Sequence, residues 1–144
     1  MDWEHVGEAT LSDGHVTLPS MPSEPGIYQW IFTHDGQARH YVGEAHNLSK
    51  RFDGYRTPGR TRSTNLRMRA RAERVISSGG TVEILRATRI RLVVDGRTVE
   101  HPDLASEFAR CFIENAALVS LLASDRTVVN GKGYGAFRPD GVLD

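Results

Sequence analysis

Residues 26–55, GIYQWIFTHDGQARHYVGEAHNLSKRFDGY, constrain this chain more than any other stretch. Two strand-like runs flank Asp35-Gly36, a dipeptide that marks a β-hairpin because both residues accept the positive φ of a tight turn. The expected strands cover 26–33 and 38–43. A hairpin sets residues of its two strands side by side, so Tyr28 and Tyr41 are expected to share one surface despite their separation in sequence. Asn47 then stands where a helix N-cap belongs, with Leu48 and Phe52 four apart toward a core and Arg51 and Tyr55 four apart on a neighbouring face. This first helix is expected over 47–55.

The flanking sequence supplies further elements of the same mixed kind. Asp13-Gly14 predicts a small hairpin within 2–19, and Pro19, Pro22 and Pro25 then make an extended connector. After a break at Thr57-Pro58-Gly59 and a basic loop over 60–63, a second helix is expected over 64–77, with Met68, Ala72, Val75 and Ile76 as its apolar stripe. Gly79-Gly80 end it. A strand over 81–87 and a hairpin about Asp95-Gly96 follow, then a long helix over 104–123. The tail is glycine-rich and reads as irregular. It carries no GxxxxGK[ST] pattern, which excludes a nucleotide-binding P-loop. The fold class is α/β in the broad α+β sense, a small mixed or antiparallel sheet flanked by helices, in one domain over 1–144.

Charge is concentrated rather than abundant. The net charge is zero, yet residues 50–91 hold twelve Lys and Arg against Asp53, Glu73 and Glu83. Arginine dominates, which suits planar bidentate contacts to phosphate. Arg67, Arg71 and Arg74 fall on one face of the second helix at i, i+4, i+7. Such a face is either ordinary solvated surface or a phosphate-binding one, and the lack of alternating acids favours the second. Arg56, Arg60, Arg62 and Lys132 join them as candidate contacts to a phosphate backbone. No apolar run is long enough to span a membrane and no secretory leader is evident, so a cytoplasmic location is expected. The lone Cys111 excludes an internal disulfide and a zinc cluster and reads as a buried small apolar residue. His5 and His15 read as surface residues.

Glu114 lies in an otherwise apolar part of the long helix, and a carboxylate there needs an ion pair, a hydrogen bond or a metal. Arg110 or Arg51 could pair with it. Glu107, seven residues earlier on the same face, reads as a supporting charge.

The words GIY, YVG and NLxxRxxxY, in that order and followed by the helix of Glu114, resemble the GIY-YIG nuclease superfamily. The run YVGEAHNLSKRFDGY is similar to the amino-terminal incision domain of excision-repair nucleases. The overall layout is similar to the restriction endonuclease and T-even phage endonuclease II branches, with an amino-terminal hairpin and connector over 1–25, an arginine-rich insertion over 56–102, a metal-ligand helix over 103–123 and a glycine-rich tail over 124–144. The resemblance is tight over 26–55 and loose elsewhere. It implies phosphodiester hydrolysis with a single Mg²⁺ or Mn²⁺ on Glu114, Arg51 on the non-bridging phosphate oxygens, and a tyrosine as general base. Tyr41 is the first choice for that base and Tyr28 its partner, with Tyr55 as a supporting or phosphate-contacting phenol and Asn130 as the asparagine the family places after the metal helix. A free phenol titrates near 10, so it needs a cationic neighbour or concerted proton relay.

One departure from the family stands out: Glu44 occupies a position that is often lysine. It could weaken phosphate binding, add a metal ligand or point away, and His46 or His40 could then share the acid–base work. The expected function is a metal-dependent DNA endonuclease, restriction-like or of phage or mobile-element type, acting on double-stranded DNA as a homodimer or homotetramer. The alternative is a non-catalytic nucleic-acid-binding module with a degraded site. A structure-specific repair nuclease is a third class, without the accessory modules such enzymes carry.

Overall fold

The computed structural model describes residues 1–59 and 63–130. Expectations that fall on Arg60, Arg62, Lys132 and the rest of the tail beyond Asn130 lie outside the described residues. The chain forms strands β1 (Glu4–Glu8), β2 (Thr10–Ser12), β3 (His15–Thr17), β4 (Gly26–His34) and β5 (Gln37–Ala45), then helices α1 (Leu48–Arg56) and α2 (Ser63–Ser77). Strands β6 (Thr81–Ala87), β7 (Arg91–Val94) and β8 (Arg97–Glu100) follow, then α3 (Glu107–Ala123) and β9 (Thr127–Val128). The main sheet has the order β1-β6-β4-β5-β9, antiparallel except for the parallel β5–β9 pair. β2–β3 and β7–β8 are separate two-stranded hairpins.

Three Asp-Gly turns close the three hairpins. Asp13-Gly14, Asp35-Gly36 and Asp95-Gly96 all have positive φ at both positions, as a two-residue turn matched to strand twist requires. β4 lies at the centre of the sheet, and its alternation splits the interior in two. Tyr28, Trp30 and Phe32 pack with Phe52, Tyr55, Met68 and Ala72 beneath α1 and α2. Ile27 packs with Val42, Ile113, Ala117 and Leu118 beneath α3. Helices therefore cover both faces, with α1 and α2 on one side and α3 on the other. No helix among the described residues is long and apolar enough to cross a membrane.

Several elements differ from expectation. β1 docks on the sheet edge against β6 with a bulge between His5 and Gly7, whereas the amino-terminal stretch predicted only the small hairpin. Thr127 and Val128 pair in parallel with Arg39 and His40, so the first part of the tail is strand. α3 starts at Glu107 rather than at 104, because Ser106 accepts the Ala109 N–H as its N-cap while Asp103 holds a separate turn through the Ala105 N–H.

Candidate active site

Two groups of functional side chains flank the carboxy-terminal end of β5. The first centres on Arg51, which α1 projects across the Tyr28 face of the sheet. Asn47 caps α1 by accepting the Lys50 N–H at 3.0 Å, which fixes the helix start and therefore the direction of Arg51 one turn later. Arg51 Nε donates to Tyr28 Oη at 3.0 Å, Nη2 donates to Tyr55 Oη at 3.1 Å, and Nη1 donates to Asn65 Oδ1 at 2.8 Å. The two phenol oxygens are 2.8 Å apart, and the guanidinium lies over the Tyr55 ring at 4.3 Å. A guanidinium has five N–H donors, so two remain for a ligand.

Tyr28 and Tyr55 are each only 1% exposed. Burial pushes both hydroxyls far above the usual phenol range, and the Tyr41 phenol nearby pushes them in the same direction. They are therefore neutral phenols whose work is to hold Arg51. Tyr41 differs. It is partly exposed, its ring centroid lies 6.4 Å from that of Tyr28, and its hydroxyl has no hydrogen bond among the described residues.

The signature glycine Gly43 pairs with Tyr28 across the sheet, and a Cβ built on it would collide with Tyr28 Cζ and Oη. Only glycine lets that ring lie flat along β5 toward Arg51. The strand is held from its other edge by Asn130, whose Oδ1 accepts the Val42 N–H at 2.9 Å and whose Nδ2 donates to the Val42 carbonyl at 2.7 Å. This side chain completes the pairing that β9 begins, so Asn130 positions the backbone between Tyr41 and Gly43.

The second group lies on the α3 side. Glu44, Cys111 and Glu114 each present one donor atom, all within 4.8 Å of one another. Glu114 makes no hydrogen bond or ion pair among the described residues, and neither Arg110 nor Arg51 pairs with it. Arg110 instead donates through Nε to Glu44 Oε2 at 2.5 Å and through Nη1 to the carbonyls of Leu104 and Ala105. Burial and the neighbouring Glu44 carboxylate raise the Glu114 pKa to about 7. Cys111 is partly exposed and faces this cluster, a correction to its reading as a buried apolar filler. Two carboxylates suit a hard divalent cation, and the thiol adds a softer donor. The residues present fit a divalent metal.

Between the helices opens a cleft of about 640 Å³, lined by Glu44, His46, Lys50, Arg51 and Asn65 among others. His46 is exposed at its rim. His40 is not available to share acid–base work with Tyr41. It is 6% exposed on the opposite face of β5, where its Nδ1 lies 2.6 Å from Gln29 Oε1 and burial lowers its pKa. Arg56 bonds Asp53 and the Pro19 carbonyl, so it pins the connector to α1. Arg67 and Arg74 are exposed on α2, and Arg71 is partly buried. Sequence reasoning missed Asn65, because an asparagine in the first turn of α2 gives no sign of a partner fourteen residues away.

No family model matches the sequence. No curated protein sequence matches it. Among solved structures, a mutant of bacteriophage T4 EndoII, a GIY-YIG nuclease, aligns with a TM-score of 0.53 at 18% identity, covering 79% of this chain and 86% of that one. Restriction endonuclease HPY188I in complex with product DNA aligns with a TM-score of 0.35 at 11% identity, covering 88% of this chain and 78% of that one. The sheet order, the helix placement and the first of these likenesses give a GIY-YIG-like nuclease fold.

Proposed function

We propose that this chain, a single unit with the GIY-YIG-like nuclease fold, is a metal-dependent endonuclease that hydrolyses phosphodiester bonds in DNA. The observation that carries the reading is Arg51. Three neighbours fix its guanidinium while leaving two donors for a ligand, beside a phenol that none of them engages. A half-buried, pre-oriented fork of this kind suits the non-bridging oxygens of a phosphodiester, whose charge grows as water adds to phosphorus.

In this reading Tyr41 Oη accepts a proton from the attacking water, or relays one, as the new P–O bond forms and the bond to the leaving oxygen breaks. The products are an alcohol and a phosphate monoester. Tyr28, Tyr55 and Asn65 hold Arg51, and Asn130 holds the strand that carries Tyr41. Glu114 would hold one Mg²⁺ or Mn²⁺, with Glu44 and Cys111 as neighbouring donors. When bound, such an ion supplies charge neutralisation for the transition state and the leaving oxygen. The Glu44–Arg110 pair bears on the alternative of a degraded binding module, because Arg110 neutralises Glu44 and its charge does not stand unopposed beside the phosphate. One chain offers one such site, so cutting both strands of a duplex calls for a homodimer, a homotetramer or sequential nicks.

The test is cleavage of supercoiled plasmid with Mg²⁺, Mn²⁺ or EDTA, run beside Glu114→Ala and Tyr41→Phe. Cutting that disappears in EDTA and in both variants supports the reading. A wild-type protein that shifts DNA on a gel but cuts it with neither metal would move the assignment to the binding module.

A further inference from the structure

Beyond Tyr41, in the direction away from Arg51, a second basic feature lies on the same face of the sheet. β5 carries Arg39 two residues before Tyr41, so the two side chains leave the strand on one side about 7 Å apart. Arg39 stands opposite Phe32 in the β4–β5 register. From α2, Arg71 comes down on the same ring, its guanidinium carbon 5.8 Å from the Phe32 centroid, within cation–π range. Arg39 and Arg71 line one cavity of about 340 Å³, floored by Phe32 and Val75 and edged by Gln37, His34 and Asp35.

The two cations outnumber the single carboxylate, Asp35, that lines the cavity. Neither arginine has a hydrogen bond or an ion pair among the described residues. Asp35 shares the cavity edge and lies 3.4 Å from His34, Asp125 lines a second cavity beside Arg39, and Glu73 pairs with Arg69 at 3.7 Å, so no carboxylate among the described residues bonds either arginine. Burial lowers the Arg71 pKa, and Arg39, Arg74 and Arg67 add to that in turn, which is the electrostatic mark of cations gathered without an anion. Two like charges lining one cavity are unfavourable in the free protein and become favourable once a shared anion joins them.

We propose that Arg39 and Arg71 form a discrete phosphate site that clamps one backbone phosphate of the DNA strand whose neighbouring phosphate lies at Arg51 and Tyr41. Two features favour a nucleic-acid phosphate over a free anion. Arg39 leaves β5 on the same face as Tyr41, one strand repeat away, and Arg67 and Arg74 stand exposed further along α2. The proposal rests on the nuclease reading for the strand direction, whereas the clamp itself is a binding claim.

The test measures affinity for a fluorescent DNA duplex in EDTA from 50 to 200 mM salt, for wild type, Arg39→Gln, Arg71→Gln and the double variant. Each single variant should bind about tenfold more weakly, and the double should lose less than the product of the two. The slope of log affinity against log salt should fall by about one in the double variant, the value for one phosphate contact. Arg71→Lys, which keeps a stem over Phe32 and a charge, should retain the slope while losing affinity. A slope change of about two with additive losses, no change in either quantity, or no DNA binding by the wild type would each overturn the shared clamp. Thermal unfolding of every variant separates lost contacts from lost structure, and exposed Arg39 tests the site even where Arg71→Gln unfolds. Plasmid cutting by the wild type, run in parallel with Mg²⁺, reports on the nuclease reading independently.

Discussion

Asn65 and Arg51 meet side chain to side chain: the Asn65 carboxamide oxygen accepts Arg51 Nη1 at 2.8 Å while its amide nitrogen donates to the Gly54 carbonyl at 3.2 Å. Asn65 is 2% exposed, so this contact ties the first turn of α2 to α1 and sets the angle of the guanidinium. Asn65→Ala should lower the rate constant for DNA nicking by about 10- to 100-fold, as loss of a positioned charge stabiliser does. Asn65→Asp keeps the acceptor and should recover part of that loss. Single-turnover kinetics of both variants check it, and equal rates for Ala and Asp would remove Asn65 from the role.

The three tyrosines should separate into two kinds. Tyr28→Phe and Tyr55→Phe each leave a buried Arg51 donor without its acceptor and should cost about 1–3 kcal/mol of stability. Tyr41→Phe removes a hydroxyl with no such partner and should change stability by less than about 0.5 kcal/mol. Its cutting rate should nevertheless fall at least about 100-fold. Urea unfolding beside plasmid nicking distinguishes the two classes.

Gly43→Ala should destabilise the fold by about 1–3 kcal/mol, because the added methyl meets the Tyr28 ring and overpacks a filled core. Tyr28→Phe in the same chain should not relieve it, since ring carbons as well as the hydroxyl stand in the way. Denaturant midpoints of the single and double variants decide the point.

Metal affinity should depend on protonation of Glu114. Its pKa in the fold is raised to about 7, above the ordinary carboxyl value, so an incoming cation displaces a proton below that pH. Mn²⁺ affinity should fall by roughly tenfold per pH unit below about 7. In the metal-free protein the same shift acts on stability: ionising Glu114 opposes folding, so its contribution is lost as pH rises from about 4.5 to about 7. Calorimetric titration at pH 6 and 8, with Glu114→Gln as control, measures the affinity. A flat affinity profile would contradict the shift.

His40 should work in the opposite direction. Burial, followed by Arg126, lowers its pKa below 6.5, so the folded state holds the neutral ring and the unfolded state binds the proton first. Stability from this group is present above pH 6.5 and declines as pH falls through that value. His40→Gln should flatten the decline between pH 7 and 5 in thermal unfolding. An unchanged profile would assign the acid sensitivity elsewhere.

Local rules in the sequence carried the frame of this protein. Three Asp-Gly turns, the Asn47 cap, the strand-like runs about Asp35-Gly36, and the four-residue spacings of Leu48 with Phe52 and Arg51 with Tyr55 each depend only on neighbours within a few residues, so they are readable without the fold. They placed the hairpin, the first two helices, Tyr28 beside Tyr41 and Arg51 beside Tyr55, while the meeting of Tyr28 with Arg51 and Tyr55 needed the packing of α1 on the sheet. The docking of β1 against β6, the turn of Arg56 onto the connector, the burial of His40, the pairing of Arg110 with Glu44 rather than Glu114, and the grip of Asn65 on Arg51 were decided by the tertiary structure alone. Each depends on which face of which element arrives opposite another across a long separation in sequence. A polar side chain takes the partner that sheet order and helix packing bring within hydrogen-bond reach, and periodicity along the chain carries no information about that choice.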